Sequence, residues 1–265
     1  MRILNDRFEV EGLLRAVRRA RNRVLFLDYD GTLAPFILER AEAEPYPGVL
    51  RLLEELGSLV RHRLVLVSGR PAKELAKLLP LTPRPVIWGS HGMEHLDAEG
   101  RLSTGPVSSE AQRVLSAEAL RLEAALGPRR VERKPVGLAV HVRGLPAPAA
   151  AEILDALRGP WKALVERYPL AILEFDGGLE LSAGMRRKGT VVEHVVGGLD
   201  PPVAAAFLGD DETDEDAFRA MRGRGASILV RPTFRPTVAD LWLTPPGELL
   251  GFLEQWRDAA SGAGA

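Results

Sequence analysis

The stretch Leu25-Phe26-Leu27-Asp28-Tyr29-Asp30-Gly31-Thr32-Leu33 ends an apolar run in two aspartates, one residue apart, followed by a glycine. An apolar strand with that ending delivers carboxylates to the carboxyl edge of an open α/β sheet, the place where such sheets bind ligands. Gly31 then lets the backbone turn sharply away. Aspartate and glycine are also ordinary turn residues, so this stretch alone reads equally well as a strand running into a loop. Its surroundings favour the sheet. Short runs rich in Val, Leu and Ile recur at Val24–Leu27, Leu64–Val67, Pro85–Trp88, Ala204–Leu208 and Ser227–Val230. Segments of helical periodicity around Pro47–Arg61, Pro71–Leu79, Lys188–Val196, Thr213–Met221 and Pro245–Trp256 lie between or after them. This alternation predicts a doubly wound, Rossmann-like parallel sheet covered on both faces.

A second acidic cluster, Leu208-Gly209-Asp210-Asp211-Glu212-Thr213-Asp214-Glu215-Asp216, also follows an apolar run and precedes a helix. Thr213 or Asp214, with Glu215 and Asp216, suits the first turn of that helix, where acids satisfy free N–H groups and the dipole. Capping leaves Asp210 and Asp211 unaccounted for. Like charges converging at a sheet edge repel unless they share a cation, and hard oxygen ligands favour Mg2+, expected here between Asp28 and Asp210. Two further segments reach the same edge. Val65-Leu66-Val67-Ser68-Gly69-Arg70 brings a hydroxyl and backbone N–H groups suited to a phosphate oxygen, although Ser68 alone reads as a cap for the helix near Pro71. Gly184-Met185-Arg186-Arg187-Lys188-Gly189 sets a lysine at a helix start, where its charge opposes the dipole and gains nothing locally.

The middle of the chain has another rhythm. From about Val107 a long helix is followed by strands at Arg130–Arg133 and Gly137–Arg143 and a helix near Ala147–Tyr168. Strands at Ala171–Phe175 and Leu179–Ser182 then flank the turn Asp176-Gly177-Gly178, a hairpin signal. The expected fold is therefore an α/β core, residues 1–106 and 183–265, interrupted by an inserted α+β cap domain at residues 107–182. The tail Ser261–Ala265 is expected to fray.

Composition narrows the functions. A formal net charge of −1 over 265 residues offers no basic field for nucleic acid, and aromatics at 6% do not alternate with arginines as a stacking platform requires. With no cysteine, disulfide frameworks, thiolate metal sites and cysteine nucleophiles are excluded. The arginine-rich stretch Met1–Arg23 lacks the apolar core of a signal peptide, and Asp6, Glu9 and Glu11 argue for a short surface helix over an organelle presequence. No apolar run is long enough to span a membrane. A cytoplasmic protein is expected, a monomer acting on a small molecule, with neither nucleic acid nor membrane as partner.

The ordered set Asp28-x-Asp30-Gly31-Thr32, Ser68, Lys188 and Gly209-Asp210-Asp211-x-Thr213-Asp214 resembles the haloacid dehalogenase-like phosphatases. Finer detail resembles the trehalose-6-phosphate phosphatase family over nearly all of Val24 to Trp256: Ser68-Gly69-Arg70, Gly89-Ser90-His91-Gly92-Met93-Glu94, Glu132-Arg133-Lys134, Leu138-Ala139-Val140-His141-Val142-Arg143 and Leu179-Glu180-Leu181. The chain departs from that pattern at Ser182-Ala183, where a basic residue and a proline are expected, and at Val142, where an aromatic is common. The resemblance implies that Asp28 is a nucleophile forming an aspartyl-phosphate and Asp30 the acid and then the base. It implies magnesium held by Asp28, the main-chain carbonyl of Asp30 and Asp210, with Asp211 and Asp214 behind them. Lys188 and Ser68 would hold phosphate oxygens. Gly69, Arg70, His91, Gly92 and Glu94 would line the substrate cleft, and Glu132, Lys134 and Glu180 would meet sugar hydroxyls from a closing cap. The same chemistry on sucrose phosphate or a glycosyl-phosphoglycerate is the neighbouring alternative, and a catalytically silent binding module the alternative of another class. A silent module is free to lose Asp28, Asp30 or Lys188, and all three are present.

Overall fold

Strand β2 (Asn22–Leu27) shows why its run is continuously apolar: Leu25 and Leu27 enter one buried cluster, Val24 and Phe26 another on the opposite face. A computed structural model describes residues 1–37, 42–184 and 186–262; Met185 of the Gly184–Gly189 segment and the last three residues of the tail lie outside them. Numbered in chain order, the elements are β1 (Arg2–Ile3), α1 (Val10–Arg19), β2, α2 (Val49–Gly57), β3 (His62–Val67), α3 (Ala72–Leu78), β4 (Val86–Gly89), β5 (Glu94–Leu96) and β6 (Leu102–Thr104). There follow α4 (Ser109–Leu126), β7 (Val131–Lys134), β8 (Gly137–His141), α5 (Ala147–Arg167), β9 (Ala171–Phe175) and β10 (Gly178–Ser182). The chain continues through α6 (Lys188–Gly197), β11 (Val203–Gly209), α7 (Glu215–Ala220), β12 (Ala226–Val230), β13 (Leu241–Leu243) and α8 (Gly247–Ser261). It divides into two units, Met1–Ser103 with Arg187–Ala265, and Thr104–Arg186. These divisions fall three residues before and four after the limits expected from sequence, where short irregular connections carry no periodicity to mark a boundary.

The first unit is a nine-stranded sheet in the order β1-β13-β12-β11-β2-β3-β4-β5-β6. The strands from β13 to β4 run parallel, while β1 and β5 pair antiparallel with β13 and β4. Helices α1, α2, α3 and α8 bury Leu14, Val17, Leu52, Leu56, Leu75 and Trp256 on one face, and α6 and α7 bury Val191, Val192 and Phe218 on the other. The chain leaves β2 toward β3 on one side and β11 toward β12 on the other. The gap beyond the carboxyl ends of β2 and β11 is thus the topological switch point of the sheet. Four strands, β1, β5, β6 and β13, have no counterpart in the sequence reading; each spans only two or three residues, too short for a period-2 pattern to register.

The second unit is a four-stranded antiparallel sheet, β7-β8-β10-β9, with α4 and α5. Leu138, Val140, Leu179 and Leu181 pack with Ala119, Leu122 and Trp161 of the helices. The residues between them face the other way: Glu132 and Glu180 both register with Ala139, and Lys134 with Gly137. Asp176-Gly177 forms the two-residue link between the paired Phe175 and Gly178, and Gly177 takes the positive φ, 99°, that such a turn requires. Among the described residues no helix is long and apolar enough to cross a membrane.

Candidate active site

Asp28 is the first residue after β2, and its N–H still donates to Leu208 O at 2.9 Å, so the last turn of the β2–β11 ladder aims its side chain at the switch point. Asp210 follows β11 in the same way. Asp28, Asp210 and Asp214 are buried and each offers an oxygen within 4.8 Å of the others. Lys188, the first residue of α6, sends Nζ to Asp28 Oδ1 at 3.0 Å and to Asp214 Oδ1 at 2.7 Å. This accounts for a lysine set against its own helix dipole: the two carboxylates outweigh it. The other oxygen of Asp214 accepts the N–H groups of Asp210 and Asp211, at 3.1 and 3.0 Å, and so fixes the acidic loop.

The electrostatics follow from crowding. Burial pushes the Asp28 carboxyl up to about 7, opposed by Lys188 and reinforced by Asp214 and Asp30. Burial, with Asp28, Asp214 and Asp211 adding to it, raises Asp210 well above the usual carboxylate range. Burial would lower the Lys188 ammonium, but Asp214 and Asp28 more than offset that and hold it above the usual lysine range. Both Asp210 oxygens are buried and have no hydrogen-bond partner among the described residues. A Cβ built on Gly31, whose φ is +81°, would stand 2.2 Å from Asp210 Oδ2, so only glycine leaves the space beside that carboxylate open. Orphaned hard oxygens beside an ionisable carboxylate fit a divalent cation such as Mg2+, with Asp28 and Asp210 as its side-chain ligands because Asp214 is already committed.

Asp30 is held from the side. Arg70, fully buried, donates Nε to Asp30 Oδ2 at 2.7 Å and Nη2 to Oδ1 at 2.6 Å, with Nη1 on Glu74 at 2.5 Å. These two acids outweigh burial and raise the guanidinium pKa, so Arg70 stays charged. Ser68 Oγ accepts the Arg70 N–H at 3.2 Å, while the position preceding α3 is Pro71, which has no side-chain cap. Ser90 and His91 both have positive φ, 48° and 56°, held by Ser90 N–H to Arg70 O and His91 N–H to Ser68 O. Gly69 passes so close to the His91 ring that a Cβ there would lie 2.7 Å from it. Gly92 continues the turn, and Glu94 Oε2 accepts from Ser90 Oγ and from Ala72 N–H at the start of α3. Ser68, Gly69, Arg70, His91, Gly92 and Glu94 thus form one interlocked edge, in which the Arg70 guanidinium and Glu94 Oε2 are engaged by the protein.

Two features depart from the sequence reading. The helix cap expected at Thr213 or Asp214 is supplied by Asp211, whose Oδ1 accepts the Glu212 N–H at 2.6 Å, because a 3₁₀ turn (Glu212–Asp214) precedes α7 and moves the chain's first free N–H groups forward. Arg235 belongs to no motif in the sequence. It donates to Asp210 O at 3.0 Å, to Asp211 O at 2.6 Å and to Glu215 at 2.7 Å, and Arg231 adds a bond to Asp210 O at 3.4 Å, so the loop is gripped from behind. The only trace in sequence is a pair of arginines just beyond an apolar strand.

In the second unit, Lys134 Nζ pairs with Glu180 Oε2, both side chains almost fully buried, and His141 Nε2 lies 2.8 Å from Glu132 Oε2. Glu132, Lys134 and Glu180 therefore share one face of the sheet.

The doubly wound fold is shared with a haloacid dehalogenase-like hydrolase from B. subtilis, which superposes with a TM-score of 0.58 at 15% identity, covering 87% of this chain and 98% of that one. The family model described as trehalose-phosphatase matches residues 26–240, and the chain belongs to that family. A trehalose-phosphate phosphatase of Mycobacterium tuberculosis is 31% identical over 249 residues, 89% of this chain and 61% of its own length. The chain thus spans about three fifths of the curated relatives it matches. The C-terminal domain of Candida albicans trehalose-6-phosphate phosphatase superposes with a TM-score of 0.83 at 21% identity, covering 97% of this chain and 99% of that one. The C-terminal domain of a C. albicans trehalose synthase regulatory protein shares the fold at a TM-score of 0.73 and 11% identity, covering 96% and 99%.

Proposed function

We propose that this chain removes the phosphate from trehalose 6-phosphate through an aspartyl-phosphate on Asp28. One observation carries the reading: the Asp28 carboxylate stands at the switch point, 3.0 Å from a buried ammonium and beside Asp210, whose oxygens have no hydrogen-bond partner among the described residues. Fold alone does not carry it, since a regulatory protein has the same fold.

In the first step an Asp28 oxygen bonds to phosphorus as the bond from phosphorus to the sugar oxygen breaks, and Asp30 gives that oxygen its proton. In the second, Asp30 takes a proton from water as the water oxygen bonds to phosphorus and Asp28 is released. Asp30 must free at least one oxygen from Arg70 to act in either step. Lys188 and Ser68 hold the phosphoryl oxygens, with Asp214 and Asp211 fixing Lys188 and the acidic loop. Asp28, Asp210 and the main-chain carbonyl of Asp30 would hold a magnesium ion, which would supply charge neutralisation between nucleophile and phosphate. Glu132, Lys134 and Glu180 read hydroxyls of the sugar, their face of the sheet being lined with the small residues Gly137 and Ala139. We assign the activity to a cytoplasmic monomer.

The test is phosphate release from trehalose 6-phosphate, sucrose 6-phosphate, glucosyl-3-phosphoglycerate and glucose 6-phosphate, each with magnesium and with excess chelator. The expected outcome is magnesium-dependent release with trehalose 6-phosphate preferred. Preference for another sugar phosphate would remove the substrate assignment and keep the chemistry; no release from any would remove both.

A further inference from the structure

At the amino-terminal ends of β3 and β4, the opposite end of these strands from Ser68 and the carboxylates, a cavity of about 500 Å3 opens within the first unit. That volume lies within the range of small-molecule sites, roughly 300–1,000 Å3. Part of its lining is apolar, supplied by Leu64, Val65, Val86, Trp88 and Val195. His95 and His194 flank the Trp88 ring, with centroids 4.4 and 5.7 Å away and planes inclined at 37° and 74° to it, so the aromatic lining is stepped.

The polar groups at this cavity are of one kind. Arg63, Arg84, His62, His95 and His194 line it, and among the described residues no carboxylate does. Several exposed arginines elsewhere find acids: Arg51 pairs with Glu55, Arg101 with Asp97, Arg133 with Glu123 and Arg158 with Glu174. Among the described residues, Arg63 and Arg84 have neither an ion-pair nor a hydrogen-bond partner. Two unneutralised guanidinium groups, five donors each, thus line a cavity that is otherwise largely apolar. Such a site discriminates by charge and by shape together. It attracts an anion, and it removes from water the ring or chain that carries the anionic group.

We propose that this cavity is a binding site for a small organic anion with an apolar body, its acid group met by Arg63 and Arg84 and its body by the apolar lining. The site is separate from the carboxylate edge, and its existence does not depend on the reaction proposed there.

The test uses a series of probes of one shape and three charges: naphthalene-2-sulfonate, naphthalene-2-methanol and 2-naphthylmethylammonium, titrated calorimetrically into the full chain. The expected result is saturable one-to-one binding of the sulfonate with a Kd below about 1 mM, at least tenfold weaker binding of the alcohol, and none of the cation. Arg63→Ser and Arg84→Ser, both at exposed positions, should each weaken the sulfonate about three- to tenfold, and the double variant more. Gly57→Leu tests the place rather than the charge. A Cβ at Gly57 makes only ordinary contacts, 3.5 Å from Leu64 and Pro83, so the larger side chain can enter the cavity and block the probe without disrupting the fold, which circular dichroism checks. Equal binding of sulfonate and alcohol, no saturable sulfonate binding, or unchanged binding in the double variant would each overturn the proposal. So would binding lost in Lys188→Ala but kept in Arg63→Ser/Arg84→Ser, because the anion would then sit at the carboxylate edge.

Discussion

The two polar surfaces of this molecule handle charge in opposite ways. At the carboxyl edge of the first unit, Asp28, Asp210 and Asp214 converge around the Lys188 ammonium, and among the described residues Asp210 has no hydrogen-bond partner for either oxygen. On the sheet face of the second unit each acid meets its own base, Glu180 with Lys134 and Glu132 with His141. Net charge left uncompensated in a buried place calls for an external cation and raises proton affinities. Charge compensated pair by pair is stable alone and can exchange partners with a hydrogen-bonding ligand. The first pattern suits chemistry, the second recognition.

The largest effect that would sharpen this contrast is on turnover. Asp28→Asn keeps the shape and loses the attacking lone pair, so release of phosphate should fall more than about 100-fold while the circular dichroism spectrum is unchanged. Residual activity above about one per cent would remove Asp28 from the nucleophile's role. Asp30→Asn should slow both the formation and the breakdown of a phospho-enzyme trapped by rapid quench, since one group acts as acid and then as base.

Next comes the response to metal and pH. Because burial holds the Asp28 carboxyl near 7, the folded state binds more protons there than the unfolded chain, whose carboxyl titrates near 4. The stability contributed by that proton is fully present below about pH 4 and is lost as pH rises through about 7. Metal-free protein should therefore lose thermal stability across this window, and magnesium should raise Tm by more at pH 8 than at pH 5, where protons occupy the same oxygens. A Tm increment independent of pH, read by scanning calorimetry, would detach the acidic cluster from the metal.

Smaller and more selective is the effect expected on the second face. Glu180→Ala should lower kcat/KM for trehalose 6-phosphate by about 10- to 150-fold, the worth of one charge-assisted hydrogen bond, and leave a small generic ester such as p-nitrophenyl phosphate nearly unchanged. Equal impairment of both substrates would make Glu180 a support of the sheet rather than a reader of the sugar. Smallest of all, Arg158→Ala removes exposed pairs with Asp155 and Glu174 and should change stability by no more than about 0.5 kcal/mol in urea titration.

What could be read from the sequence tracks how local each signal is. Asp28, Asp210 and Lys188 stand at junctions of strand or helix with loop, where periodicity breaks, so their convergence on one sheet edge follows from topology. Both faces of β2, β3 and β11 are buried, and each reads as an unbroken apolar run for that reason. Contacts between distant segments left no such trace. Arg235 reaches back across 24 residues to the Asp211 carbonyl, and Lys134 meets Glu180 across 46, with nothing near either residue to indicate the partner. Arg70, which the family resemblance puts on the substrate cleft, is held wholly inside by two acids, a long-range pairing with Asp30 that its own segment does not announce. The short strands at the sheet's margins fall below the length at which alternation can be recognised.

The interrupted sheet bears on how the chain is made. Strand β2 takes one neighbour, β3, from the residues that immediately follow it and the other, β11, only after Thr104–Arg186 has been synthesised. The second unit is continuous, so it can fold as soon as it leaves the ribosome, while the earlier strands wait with one side of β2 unpaired. Closing that long separation carries a loop entropy that grows only slowly with length, and a folded insert draws its own ends together and shortens the effective loop. The insert thus acts as a splint for the sheet around it. Refolding of the whole chain should accordingly depend on how fast the inserted unit forms, even though none of its strands belongs to the nine-stranded sheet.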